Sequence, residues 1–268
     1  MGPAIPVVTS EVLAGAGAGA LALVALADLG ATYAGWTPVA ARPALAAAAG
    51  AGLALFVVGA IATVVARARS VALQNVAGQL RPSWATRAAL VAFALVLVAA
   101  AYVAVLVLDV RPRRVWALPT VATLLAWALL TFGARVRPGA AAFPDAVGGH
   151  AAGAVLVEAI VRPSVGPTWV AAAGLGLLVA AWLGWERTRP ADRRWPTGIG
   201  RIAFVLAIMV PALWLVAGLA DPGAGLVAFA SSVAGFALLR SGARVQQTDI
   251  SGGRILAEKD GSRSAGRS

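Results

Sequence analysis

The strongest constraint in this chain is the recurrence of apolar runs about 20 residues long, each bounded by polar or charged breaks. An α-helix of about 20 mostly apolar residues crosses the hydrocarbon core of a bilayer. Only helices and closed barrels can cross, because no water is present there to satisfy loose backbone groups. The runs are Val12–Trp36, Pro43–Ala66, Ala88–Val110, Val115–Ala134, Phe143–Val161, Thr168–Trp185, Arg201–Ala220 and Gly223–Leu239. They predict an all-α membrane protein, a bundle of about eight transmembrane helices spanning residues 1–243. Residues 244–268 are rich in Ser, Gly and Arg, lack an apolar run, and are expected to form a disordered polar tail. The fifth run is the least apolar, since it carries His150 and Glu158. The last two are joined at Asp221-Pro222, a turn signal that makes them an antiparallel pair.

Composition agrees with the runs. The chain is 60% hydrophobic and 12% charged, against about 25% charged in soluble domains. Its formal charge is +11, and 21 of its 22 basic residues are Arg, the exception being Lys259. These cations sit between the apolar runs, a pattern of membrane-facing loops rather than of nucleic-acid binding. With both termini on one side, 17 basic residues fall on that side and 5 on the other. The bias predicts a multi-pass protein of the cell membrane with both termini in the cytoplasm. The first basic residue is Arg42, so the basic region that opens a signal peptide is missing and the first run is expected to stay as a spanning helix. There is no Cys and only one His. A cysteine-ligated cluster or a bis-His haem within this chain is therefore excluded, and a zinc site is disfavoured.

Side chains within the runs suggest how the helices sit. Trp36, Trp84, Trp116, Trp169, Trp185 and Trp195 fall near run ends, as interfacial aromatics do, whereas Trp127, Trp182 and Trp214 are internal and are expected to pack. Gly15/Gly19 and Gly149/Gly153 are GxxxG pairs of the kind that let helix backbones meet; a chain with 30 Gly also produces such spacing by composition alone. Ionisable groups at membrane depth are functional candidates. Asp28 and Asp109 are near run ends, within reach of the interface. His150 and Glu158 lie eight residues apart, about 12 Å along a helix. Either they line one polar cavity, or the fifth helix is short and Glu158 reaches water near its end. Pro211 interrupts the seventh run, as a kink or as the broken helix of a transporter.

The longest polar interruption is Arg67 to Arg87, RARSVALQNVAGQLRPSWATR. Its Asn75, Arg81 and Ser83-Trp84-Ala85-Thr86-Arg87 resemble the link between the second and third helices of the DMSO reductase membrane-anchor subunit (DmsC) family, more distantly the NrfD-type anchors. The order of the later segments is looser but family-like, from Ala134-Arg135-Val136-Arg137 and Phe143-Pro144 to Leu239-Arg240. The resemblance implies an eight-helix, non-catalytic anchor of a molybdopterin-dependent respiratory oxidoreductase. Its implied partners are an iron–sulfur electron-transfer subunit and a molybdopterin catalytic subunit, with menaquinol as the implied cofactor. Asn75, Arg81, Ser83, Trp84, Arg87 and Arg135 would form the docking and quinol-binding face, joined by Arg240. Two positions depart from the family: its His falls at Arg67 and its Glu at Ala88. Neither residue here can accept a quinol proton, so the resemblance implies the architecture and the docking role more than quinol oxidation. Apart from the resemblance, the alternative is a small-solute or lipid transporter with Glu158 and His150 in the path.

Overall fold

The computed structural model describes residues 5–33, 42–72, 84–108, 114–133, 142–166, 168–188 and 197–241. Within them the chain forms eight helices and no strand. These are α1 (Ile5–Tyr33), α2 (Arg42–Ala72), α3 (Trp84–Leu108), α4 (Arg114–Gly133), α5 (Ala142–Val165) and α6 (Trp169–Thr188). The segments Thr197–Phe204, Val205–Met209 and Val210–Ala217 run on as one helix, α7, and α8 is Pro222–Ser241. Among the described residues, α1, α2, α3, α6, α7 and α8 each contain a stretch long and apolar enough to cross a membrane. The protein is a multi-pass membrane helical bundle. Its exposed large side chains are those of a lipid-facing surface, among them Leu90, Phe93 and Leu97 on α3 and Leu213 and Val216 on α7.

The helix that hydropathy ranks weakest turns out to be the centre of the bundle. From Val147 to Arg162 every residue of α5 is buried except His150 and Ile160, which are half-buried. α5 packs on α1, α2, α4 and α6 and touches α8 through Gly148 and Phe236. A helix surrounded by protein does not have to be soluble in lipid, so it can carry polar and small residues that a lipid-facing helix would not. Two apolar cores flank it. One joins α1 to α2, α3, α4 and α5 around Leu21, Phe56, Leu95 and Tyr102. The other joins α1 and α5 to α6, α7 and α8 around Val155, Leu178, Ile208 and Phe236.

The two GxxxG pairs meet each other. A methyl group added at Gly19 would come 2.7 Å from Cα of His150, and one at Gly153 would come 2.6 Å from the backbone nitrogen of Ala20. Gly15 and Gly149 face one another along the same seam, with an added methyl at Gly149 3.0 Å from Cα of Gly15. Gly17 points the other way, into α2, where a methyl would lie 2.5 Å from the Gly52 carbonyl oxygen, and Gly59 of α2 returns the contact at 2.6 Å from the Ser10 carbonyl oxygen. α1 is thus clamped backbone to backbone on two sides. In lipid this is an effective way to hold helices, because apolar burial gives no driving force there and close van der Waals contact must supply it. The spacing is a packing device here and not an accident of composition.

α7 contains the break that Pro211 announces. Proline has no N–H to donate, and its ring crowds the carbonyl one turn earlier. The helix answers with a π-turn at Val205–Met209 just before it, an inserted residue that relieves such a clash. The π-turn packs on α8, where a methyl at Gly235 would lie 2.6 Å from Cα of Ala207. α7 then ends on Gly218 with φ of 67°, the left-handed terminus that glycine takes without cost. Asp221 caps α8, its Oδ2 accepting from Ala224 N at 2.7 Å, and Pro222 stands at the first helical position.

The central seam makes a direct prediction. Gly153→Ala should lower the stability of the protein in mild detergent by about 1–3 kcal/mol, the usual cost of overpacking. Gly50→Ala, where an added methyl meets nothing within 4 Å, should be neutral or stabilise by up to about 1 kcal/mol through helix propensity. Thermal midpoints of the two variants measure the difference, and equal midpoints would remove the seam from the account.

Candidate functional site

α5 ends in a polar knot. Glu158 and Arg162 stand one turn apart, both with fully buried side chains, and Arg162 Nε donates to Glu158 Oε1 at 3.1 Å. The two charges face opposite helix ends. Glu158 meets the start of α6: its Oε1 accepts from Thr168 N at 3.0 Å and its Oε2 from the Thr168 hydroxyl at 2.7 Å. Thr168 also caps α6, its Oγ1 accepting from Val170 N at 3.1 Å. Arg162 meets the end of α7. Its Nη1 donates to Trp214 O at 3.0 Å and to Leu219 O at 3.5 Å, and its Nη2 to Leu215 O at 3.2 Å. The guanidinium carbon lies 4.2 Å from the centre of the Trp214 ring, a cation–π contact.

The arrangement solves an electrostatic problem. The last carbonyls of a helix have no intrahelical donor, and the first N–H groups have no acceptor. These ends carry partial negative and positive charge. Arginine supplies several donors in one rigid fork, and here the fork fills the carbonyls of α7 while the carboxylate fills the N–H of α6. Each charge is compensated twice, once by its partner and once by a helix dipole.

Two corrections to the sequence-based expectations follow. Glu158 does not reach water near a short helix end: it is fully buried, and both of its oxygens accept hydrogen bonds within the protein. His150 lies two turns away, half-buried, with its backbone pressed on Gly19. Arg162 is only 1% exposed and so does not belong among the loop cations.

Two other polar contacts are buried within the bundle. Asp28, near the end of α1, is 2% exposed. Tyr102 of α3 donates its hydroxyl to Asp28 Oδ2 at 3.2 Å. Glu11 of α1 pairs with Arg240 of α8, and both side chains are buried. Arg240 is thereby part of the interior and not of a docking face. The described residues therefore hold three buried carboxylates, at Glu11, Asp28 and Glu158, where the sequence offered one. The signal available was the helical position of Glu11, inside the lengthened first helix. Because Glu11 lies near the start of α1 and Arg240 near the end of α8, their pairing also shows that the bundle begins and ends at one face, here termed the terminal face.

The remaining candidates are placed as follows. Asn75, Arg81, Ser83 and Arg135 lie outside the described residues, as do Arg67 and Asp109 in their side chains or entirely. Trp84 and Arg87 belong to the first turn of α3. Of the internal tryptophans, Trp127 packs edge-on against Phe56 and Trp214 joins the knot, whereas Trp182 is 39% exposed and meets Phe204 at the lipid-facing side. Among the described residues no group of three His, Cys, Asp or Glu is placed to hold a metal ion.

No protein-family model, no curated protein and no solved structure matches this chain.

Arg162→Leu should cost about 3–5 kcal/mol, the penalty for leaving a buried partner charge alone. Removing both charges, with Glu158→Gln and Arg162→Leu, should recover part of that loss. It should not recover all of it, because the carbonyls of Trp214 and Leu215 stay without their donor. Unfolding in a graded denaturing detergent compares the three proteins. A double variant as stable as the parent would show that capping of α7 contributes nothing.

Proposed function

We propose that this chain is the membrane anchor subunit of a molybdopterin-dependent respiratory oxidoreductase complex. It docks an iron–sulfur electron-transfer subunit on its terminal face and presents menaquinol to that subunit. The observation that carries the proposal is the gathering of cations. Helices that alternate in direction, and an ion pair that brings the two ends of the bundle together, bring the links after α2, α4 and α6 to the terminal face. By the order of the runs in the sequence, and with the buried Arg162 and Arg240 set aside, 16 basic residues are expected on that side and 4 on the other. A surface of this kind suits an acidic soluble partner, since complementary charge steers the encounter and fixes its orientation. The motif Asn75, Arg81, Ser83, Trp84 and Arg87 runs from one of these links into the first turn of α3.

By the positive-inside rule the terminal face is cytoplasmic, in the cell membrane. The anchor is non-catalytic: electrons pass from the quinol to a cofactor of the partner, and this chain supplies position and surroundings. The buried charges support such a role. Each is engaged in joining helices, which makes a rigid platform, and a transport path through Glu158 draws no support from this geometry.

Purification in mild detergent from cells making the complex should yield the chain together with an iron–sulfur subunit and a molybdopterin subunit. Arg81→Glu with Arg87→Glu should weaken that association, more so at high salt. A chain that repeatedly purifies alone under these conditions would end the anchor proposal.

A further inference from the structure

Ser231 and Ser232 are neighbours on α8, and one local acceptor is within reach of both. A serine inside a helix commonly returns its hydroxyl to a carbonyl three or four residues back. Ser231 does so, its Oγ donating to the Ala228 carbonyl at 2.8 Å. The same carbonyl is the α-helical acceptor for the backbone N–H of Ser232, so its two lone pairs are engaged. Ser232 is fully buried, and its Oγ has no hydrogen-bond partner among the described residues. A buried hydroxyl left in that condition is costly, and most such groups in proteins are satisfied by protein or by ordered water.

Contacts on either side fix the level at which Ser232 lies. On α5, Gly148 packs against Phe236 and Ala159 against Gly225. The two helices are antiparallel, so one turn from the first of these contacts places Ser232 opposite Ala152. Ala152 and Val155 on that stripe of α5 are buried and apolar, and their side chains offer no polar partner. On α7, Gly235 packs against Ala207. Three residues back along α8 and three on along α7 bring Ser232 level with Val210 and Pro211.

That level is where α7 loses backbone hydrogen bonds. The α-helical donors to the Leu206 and Ala207 carbonyls would be Val210 and Pro211. Val210 donates to the Val205 carbonyl instead, and Pro211 has no N–H. Carbonyls point toward the C-terminal end of their helix, so the Ala207 carbonyl is directed from its contact with Gly235 toward the level of Ser232. A hydroxyl without a partner and a carbonyl without its α-helical donor therefore meet at one buried junction of α5, α7 and α8.

We propose that this junction binds a single ordered water molecule, which accepts from the Ser232 hydroxyl and donates to the Ala207 carbonyl. Water fits because it accepts and donates at once, and a buried water is held by about two to four polar partners. A metal ion of the hard-cation class would require about six oxygens, more than the junction supplies. Proline inside a spanning helix is tolerated where side chains or ordered waters serve the freed backbone. The water ties the break in α7 to α8, about one turn before the Trp214 carbonyl that Arg162 caps.

Two measurements on the whole chain test the site. An experimental density map of the parent, at a resolution that shows ordered water, should contain one peak within hydrogen-bond reach of both Ser232 Oγ and the Ala207 carbonyl oxygen. In mild detergent, Ser232→Ala should lower the thermal midpoint, and Ser232→Thr, which keeps a hydroxyl, should lower it less. Pro211→Ala returns an N–H to the Ala207 carbonyl, so adding Ser232→Ala in that background should lower the midpoint by less than it does in the parent. An equal loss in the two backgrounds overturns the proposal, because the hydroxyl would then not be serving the carbonyl that proline frees. A map with no peak at the junction also overturns it, as does one in which the Ser232 hydroxyl meets the carbonyl directly. The map decides even if Pro211→Ala fails to fold.

Discussion

A methyl group at Gly153 would come 2.6 Å from the backbone of Ala20, and one at Gly19 would come 2.7 Å from that of His150. α1 and α5 can therefore lie together only because both seams lack side chains, and most of the bundle follows from that contact. Once α5 is pressed on α1, it is closed off from lipid by α2, α4, α6 and α8. It is then free to carry Glu158 and Arg162, which no lipid-facing helix could hold without paired compensation. The glycines thus act at a distance. They make the protein interior in which the ion pair is tolerable, and the ion pair in turn holds α6 and α7 on the far side.

The polar groups inside this bundle show how a membrane protein meets the demand for satisfied hydrogen bonds. A helix end within the bundle leaves carbonyls that water would satisfy in a soluble protein. For α7 the donors come from Arg162, and for α6 the acceptor comes from Glu158 and Thr168. A buried ion pair is by itself weak support for stability, since desolvation offsets attraction. Here the charges also face helix dipoles of the proper sign, and the guanidinium rests on the Trp214 ring. Those extra terms distinguish this pair from an isolated one. Asp28 with Tyr102, and Glu11 with Arg240, repeat the theme at lower multiplicity, each joining helices far apart in sequence.

Much of the fold was legible in the sequence. Eight apolar runs gave eight helices, with ends displaced by several residues where polar turns continue the helix, as at Ile5 and Ala72. The π-turn was foreshadowed by Pro211, and the α7–α8 turn by Asp221-Pro222. The burial order was not legible. Hydropathy measures how well a helix tolerates lipid, so it ranked α5 last although α5 is central. The partners of Glu158 were hidden for a related reason. Arg162 sits only four residues away, but the position of the predicted helix end at Val161 moved it into a loop. Extending the helix through Pro163 to Val165 restores the pair. The partners at Trp214 and Leu215 lie over fifty residues away, and local pattern gives no access to them. Of the residues expected from the sequence to dock a partner, Asn75, Arg81, Ser83 and Arg135 lie outside the described residues, so the motif that suggested a family and the geometry that organises the bundle concern different parts of the chain.

That separation has a physical sense. Among the described residues the interior charges lie in helices α1, α5 and α8, and each is bound to a partner on another helix. In the sequence the remaining cations fall mostly between the apolar runs. An interior that uses its charges for cohesion leaves recognition to the surface. In the proposed anchor role, association with a partner would rest on long-range charge, with its dependence on salt.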